Sequence, residues 1–209
     1  MDLSISKLWD LIVFGGPTAF PLLIASIVSL AVVIEKFIFF KKNKEKSFYL
    51  LREVERYLEN GDVMGALNEL KGKKGANVKL LITALSHYNE DPHRVREVLQ
   101  AVGEDEIKKM EKHLAVLDVI AMIAPLLGLL GTVLGIIGSF NILGSVVGAG
   151  DPSQISAGIA AALISTAFGL IVAIPSAIFY SYFSNKVEKR AHEMSLGMID
   201  IVDLLSLGE

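Results

Sequence analysis

The chain has no cysteine among its 209 residues, so neither a disulfide framework nor a thiolate metal site is open to it. Its four histidines, His87, His93, His113 and His192, show no metal-ligand spacing and read as surface or core residues. No nucleophile stands beside a base. The lysine-rich run at 71–74 lacks both the Gly-Lys-Ser/Thr ending and the preceding strand of a phosphate loop. A sequence pI near 5.8, with no recognisable nucleic-acid module, excludes a global basic footprint. These absences predict a chain that is not an enzyme and that takes no cofactor, metal or nucleic acid.

Charge is the most informative lack. Residues 119–140, VIAMIAPLLGLLGTVLGIIGSF, contain no charged side chain, and only Thr132 and Ser139 are polar. As a helix these 22 residues span about 33 Å at roughly 1.5 Å per residue, enough for a hydrocarbon core of about 30 Å. Residues 157–183 are likewise free of Asp, Glu, His, Lys and Arg. With 52% hydrophobic residues and a mean hydropathy of +0.52, the chain is too apolar for an ordinary soluble domain.

What is present falls into seven segments. Residues 1–18 form an N-terminal segment whose stretch LWDLIVF at 8–14 reads as a short interfacial helix with Trp9 at the headgroups. No small-residue cleavage site follows it, so it is read as retained. Residues 19–40 are the first apolar run, with Pro21 at a tolerated early position. Glu35 and Lys36 stand near its far end, where long side chains snorkel to the interface. Residues 41–113 are different in kind, with 15 of the chain's 20 Lys and Arg and 13 of its 23 Asp and Glu. Phe48, Leu51, Val54 and Leu58 predict an amphipathic helix stopped by Asn60-Gly61. Asp62 then caps a second helix through Leu70, and residues 78–88 predict a third. After the start at Asp91-Pro92 no stop signal appears before Phe140, so one continuous helix is expected, with Gly103 as its likeliest bend. Residues 114–142 are its membrane part, 143–156 a loop, 157–183 the third span, and 184–209 a helical tail.

Basic residues orient the spans. Segment 41–113 has fifteen and the tail has Lys186, Lys189 and Arg190, whereas the first 18 residues have only Lys7 and the 143–156 loop has none. The positive-inside rule places the middle domain and the tail in the cytoplasm and the N-terminus outside. The expected architecture is an all-α membrane protein with three transmembrane helices, two of them extending into a cytoplasmic helical domain.

Two of the spans carry small-residue stripes. Gly128, Gly131, Gly135 and Gly138 step by three, four and three, as do Thr166, Gly169, Ala173 and Ser176. Such stripes let helices approach closely in a membrane. One chain with three spans encloses no wide water path, so the stripes point to homo-oligomeric packing around an axis, with Thr132, Thr166, Ser139 and Ser165 on a narrow polar lumen. The alternative is that the threonines bond backbone carbonyls of the preceding turn. Pro125 and Pro175 are candidate kinks. Asp118, one residue before the charge-free run, is either a solvated charge at the cytoplasmic mouth, or an ion exit or a contact with the basic flank of a partner.

The run Ala124-Pro125-Leu126-Leu127-Gly128-Leu129-Leu130-Gly131-Thr132-Val133 resembles the signature of the ExbB/TolQ/MotA family of proton-channel proteins. A second match lies at 158–170 (GIAAALISTAFGL) and at Ala173-Ile174-Pro175. Three spans in about 200 residues look like the ExbB/TolQ branch. The resemblance implies a bacterial inner-membrane pentamer around a dimer of single-span ExbD/TolR-type partners. The partner helix brings the titrating aspartate, and a TonB/TolA-type protein receives the work. It also implies that Thr132 and Thr166 are the pore threonines. A MotA-like stator and a non-conducting scaffold are the alternatives. One position departs from the pattern: ExbB and TolQ commonly have Gly-Ile-Ala-Glu-Ala-Leu, and Ala161 stands where the glutamate would be.

Overall fold

The computed structural model describes residues 18–43, 47–145 and 152–206. The expected interfacial helix at 8–14, with Trp9, lies outside the described residues, as do positions 146–151 of the expected loop. Seven helices are described: α1 (Ala19–Lys42), α2 (Ser47–Glu59), α3 (Val63–Leu70), α4 (Ala76–Ser86), α5 (Pro92–Glu111), α6 (Leu114–Ser145) and α7 (Pro152–Ser206). Among the described residues there is no strand. The protein is therefore all-α. Three helical stretches are long and apolar enough to cross a membrane, within Ala19–Lys42, Pro92–Asn141 and Ile155–Asp203, with hydropathies of 2.3, 2.4 and 2.3. Helix reaches further than expected into the 143–156 segment, since α6 runs to Ser145 and α7 begins at Pro152.

The chain divides into two compact units, residues 1–35 with 113–182 and residues 36–112 with 183–209. The first holds the charge-free stretches. Leu22 of α1, Ile120 and Ala124 of α6 and Ala173 of α7 form its buried cluster, with Ala25, Leu127 and Phe168 packed against it. Much of the outer surface is apolar too. Phe20, Ile27 and Leu30 on α1, Met122, Leu126 and Phe140 on α6, and Leu163, Ile171 and Ile178 on α7 are all exposed. Such surfaces suit lipid or another apolar chain, and helices suit both because they satisfy their own backbone polar groups.

Two antiparallel or parallel relations fix how this unit packs. The hydroxyls of Thr18 and Ser165 lie 2.8 Å apart, and those of Ser29 and Ser176 lie 2.7 Å apart. Both pairs are buried and both are separated by 147 positions. Residue numbers therefore rise together, and α1 and α7 run parallel. Contacts between α6 and α7 pair Gly128 with Gly169 and Gly135 with Ala162, so numbers rise on one helix as they fall on the other. Those two helices are antiparallel.

The second unit is built from α2 to α5 with the ends of α1 and α7. Asp62 caps α3 by accepting the Gly65 N–H at 2.7 Å, and Gly61 before it takes a left-handed φ of 70° that a side chain would resist. Asp91 caps α5 by accepting the His93 N–H at 2.7 Å, with Pro92 in the first turn. The helices bury Val54, Leu70, Leu80, Leu81, Leu99 and Met194. Across α4 and α5, Lys79 meets Glu106 at 2.6 Å. Lys109 meets Glu106 at 2.9 Å and also pairs with Asp105. Burial pushes the Glu106 carboxyl up, but hydrogen bonds from Lys79 and Lys109 outweigh it and the net shift is down. The Lys109 hydrogen bond holds Asp105 below the usual range, and the Asp105 and Glu106 bonds raise Lys109. A hydrogen bond to Glu69 raises Lys73 against the opposing effect of burial.

Three expectations are corrected here. The helix expected to run unbroken from residue 92 to 140 is interrupted at Lys112-His113, where His113 has a φ of +65°. Gly103, the expected bend, is instead helical and buried, with room beside it for contact with Met198. The break carries no Gly or Pro. A tertiary contact supplies the reason, since His113 Nδ1 lies 2.9 Å from the Glu35 carboxylate and histidine is among the residues that enter the left-handed region most readily. Lys36, expected to snorkel, is only 1% exposed and donates to the Met110 carbonyl at 2.8 Å. Met110 is in the last turn of α5. There the carbonyls have no intrahelical donor and a cation is favoured, so the helix end draws the ammonium inward.

Candidate functional site

The site is the seam between α6 and α7 in the first unit. Its geometry depends on missing side chains. A Cβ on Gly128 would stand 3.0 Å from the Ser165 carbonyl oxygen and 3.0 Å from the Thr166 Cα. One on Gly169 would stand 2.6 Å from the Ala124 carbonyl oxygen and 3.1 Å from the Gly128 Cα. At Gly135 it would meet the Ala162 Cβ at 2.9 Å, and at Gly131 it would collide with the hydroxyls of Ser165 and Thr18. Real Cβ atoms essentially never come as close as those at Gly169, Gly135 and Gly131 would, and the contacts at Gly128 would be tighter than most, so the two backbones approach this closely because these positions are bare. The stripes expected to pack between copies are thus occupied by each other within one chain. Gly138 is the exception on α6, with nothing within 4 Å of its would-be Cβ.

Hydroxyls are distributed unequally along the seam. Thr166 Oγ1 donates across it to the Gly128 carbonyl at 3.2 Å. Thr132 Oγ1 donates within α6 to the Leu129 carbonyl at 2.6 Å. Both threonines are half-buried. Ser165 is 1% exposed and engaged with Thr18. Ser139 is 3% exposed and donates to the Gly135 carbonyl at 2.9 Å. Neither serine is exposed on the surface of the single chain. Pro125 is half-buried inside α6 and Pro175 is exposed inside α7. Each removes one helical N–H donor. Asp118 is half-buried in the second turn of α6, and Ala161 is half-buried on α7.

Sequence reasoning missed Thr18, Ser29 and Ser176 as a set. The signal was there: hydroxyl residues eleven apart in the first span, Thr18 and Ser29, match Ser165 and Ser176 eleven apart in the third. Eleven residues make about three helical turns, which returns each hydroxyl to the same face. Among the described residues no cluster of His, Asp or Glu could hold a metal ion.

A paired, charge-free seam with half-buried hydroxyls marks a helical membrane protein whose second and third apolar stretches hold no Asp, Glu, His, Lys or Arg. The chain belongs to the MotA/TolQ/ExbB proton channel family, whose sequence model matches residues 70–196. It is 32% identical over 172 residues to the biopolymer transport protein ExbB-like 3 of Synechocystis, covering 81% of each chain. It is 31% identical over 179 residues to ExbB-like 1 of Helicobacter pylori, covering 86% of this chain and 87% of that one. A shorter match, 41% over 93 residues, links it to the Tol-Pal system protein TolQ of Pseudomonas aeruginosa, covering 44% of this chain and 39% of TolQ.

Proposed function

We propose that the chain is the channel-forming subunit of a proton-driven inner-membrane complex of the ExbB/TolQ type, energising transport or integrity of the cell envelope. In this reading several copies, five by family resemblance, surround a dimer of single-span ExbD/TolR-type partners. A TonB/TolA-type protein carries the work outward. The observation that carries it is the charge-free seam of a family member: residues 119–140 and 157–183 contain no Asp, Glu, His, Lys or Arg, while Thr132 and Thr166 keep half-buried hydroxyls beside it.

Hydroxyls orient water but do not titrate near neutral pH. A proton crossing such a wall needs a carboxylate from another chain, and the partner's helix is its source. Thr132 and Thr166 then line the path, with Asp118 at the cytoplasmic mouth. The parallel α1 and α7, with α6 antiparallel to α7, support three alternating crossings. The lysine distribution supports an outside N-terminus and a cytoplasmic tail.

The test is proton flux into liposomes holding the chain with its partner. Flux that requires both proteins and falls at least tenfold in Thr166→Val, with assembly size unchanged, supports the reading. A complex that assembles but conducts nothing is a scaffold.

A further inference from the structure

In the second unit, the last two turns of α1 and the adjoining stretch of α7 form a groove of about 500 Å³ lined by Phe37, Ile38, Phe40, Lys41, Lys186 and Arg190. That is the size of a small-molecule site. Its floor is aromatic. Phe40, 3% exposed, stacks on Phe183 with centroids 5.8 Å apart, and Phe37 meets Phe183 edge-on at 5.2 Å. Two cations lean over that floor, Lys186 Nζ at 5.0 Å and Arg190 Cζ at 5.9 Å from the Phe40 centroid. Lys41 is exposed at the rim. Among the described residues no carboxylate lines the groove.

We propose that this groove binds the phosphate of an anionic phospholipid, with the acyl chains lying on Phe37 and Ile38. Three observations select that occupant. First, the groove sits where α1 stops being apolar: about 20 residues from Ala19 exhaust a hydrocarbon core, and the helix then ends in Lys41 and Lys42. Secondly, its two characters are adjacent. Phe37 and Ile38 are 47% and 49% exposed on the apolar side, and three cations close the other. Arginine pairs phosphate oxygens bidentately while lysine acts as a point charge. Thirdly, the neighbouring basic groove makes the contrast. It is lined by Lys73, Lys74, Lys79, Lys109 and the shared Arg190, with Glu106 among them, and three of its lysines, Lys73, Lys79 and Lys109, are already paired with Glu53, Glu69, Asp105 and Glu106. Among the described residues neither Lys41 nor Arg190 is in an ion pair. The proposal needs α1 to cross the bilayer but does not need the chain to conduct protons.

The test is thermal stability of the purified full-length chain in neutral detergent, titrated with phosphatidylglycerol, phosphatidylcholine or inorganic phosphate. Phosphatidylglycerol is expected to raise the melting temperature saturably, with little response to the other two. Lys186→Gln and Arg190→Gln should each weaken the apparent affinity about fivefold, the weight of one cation near an anionic headgroup. Lys189→Gln, outside the groove, should leave it unchanged. Should either α7 variant fail to fold, Lys41→Gln on the exposed rim carries the same expectation. An equal response to phosphatidylcholine, an equal response to inorganic phosphate, or wild-type affinity in the groove variants would overturn the proposal. Proton flux is a separate readout, so loss of one reading leaves the other standing.

Discussion

The hydroxyl of Ser29 meets the hydroxyl of Ser176 at 2.7 Å, and Ser176 also donates to the Val172 carbonyl at 2.8 Å. This contact is one of two rungs between α1 and α7. Hydrogen bonds between membrane helices are worth about 0.6 kcal/mol on average. A double-mutant cycle of Ser29→Ala and Ser176→Ala should therefore return a coupling energy near 0.6 kcal/mol. Equilibrium unfolding in mixed micelles measures it, and strictly additive losses would show that the rung contributes nothing.

The bare seam predicts unequal tolerance of a single methyl. Gly169→Ala drives its Cβ toward the Ala124 carbonyl and the Gly128 backbone, neither of which is a flexible side-chain end. Overpacking of this kind costs about 1–3 kcal/mol. Gly138→Ala meets nothing within 4 Å and gains helix propensity of up to about 1 kcal/mol. Melting temperatures of the two variants should move in opposite directions.

His113 predicts an order among its replacements. Its left-handed φ of 65° suits glycine and penalises a β-branched residue by about 1–2 kcal/mol. Both His113→Gly and His113→Val lose the contact with Glu35, so their difference isolates the backbone. His113→Val should be the less stable by at least about 1 kcal/mol in the same unfolding assay.

Acid should loosen α4 from α5. The folded state holds the Glu106 carboxyl below its ordinary value of 4.5, so the unfolded chain takes up its proton first as pH falls. The contribution to stability is complete above pH 4.5 and is lost as pH drops through the lower folded value. Asp105, lowered in the same direction from 3.8, extends the loss further into acid. Glu106→Gln should flatten the acid limb of a stability–pH profile and reduce the part of the alkaline limb that Lys109 supplies, because Glu106 also raises Lys109, while the part supplied by Lys73 stays in place.

The helices were legible because their signals are local. Asp62 and Asp91 announce helix starts from the neighbouring residues alone, and a charge-free run of 22 residues needs no partner to be recognised. What depended on partners was not legible. The glycines of α6 show that some backbone comes close, but not whether it belongs to α7 or to another copy. Lys36 looks like any lysine at the end of an apolar run until the carbonyls of α5 arrive beside it. The interruption at Lys112-His113 is written in a contact with Glu35, 78 positions away, and not in any breaker residue. Thr166 stands out in the sequence by its place in a motif. The atom it bonds, the Gly128 carbonyl 38 positions earlier, follows only from the antiparallel register.

The matched eleven-residue spacing of the two rungs has a mechanical consequence. Sliding α1 along α7 by a single turn would break both hydroxyl rungs at once, whereas tilting the two together breaks neither. Any cycle that moves these helices should carry them as one stave, rocking in unison rather than shearing past each other.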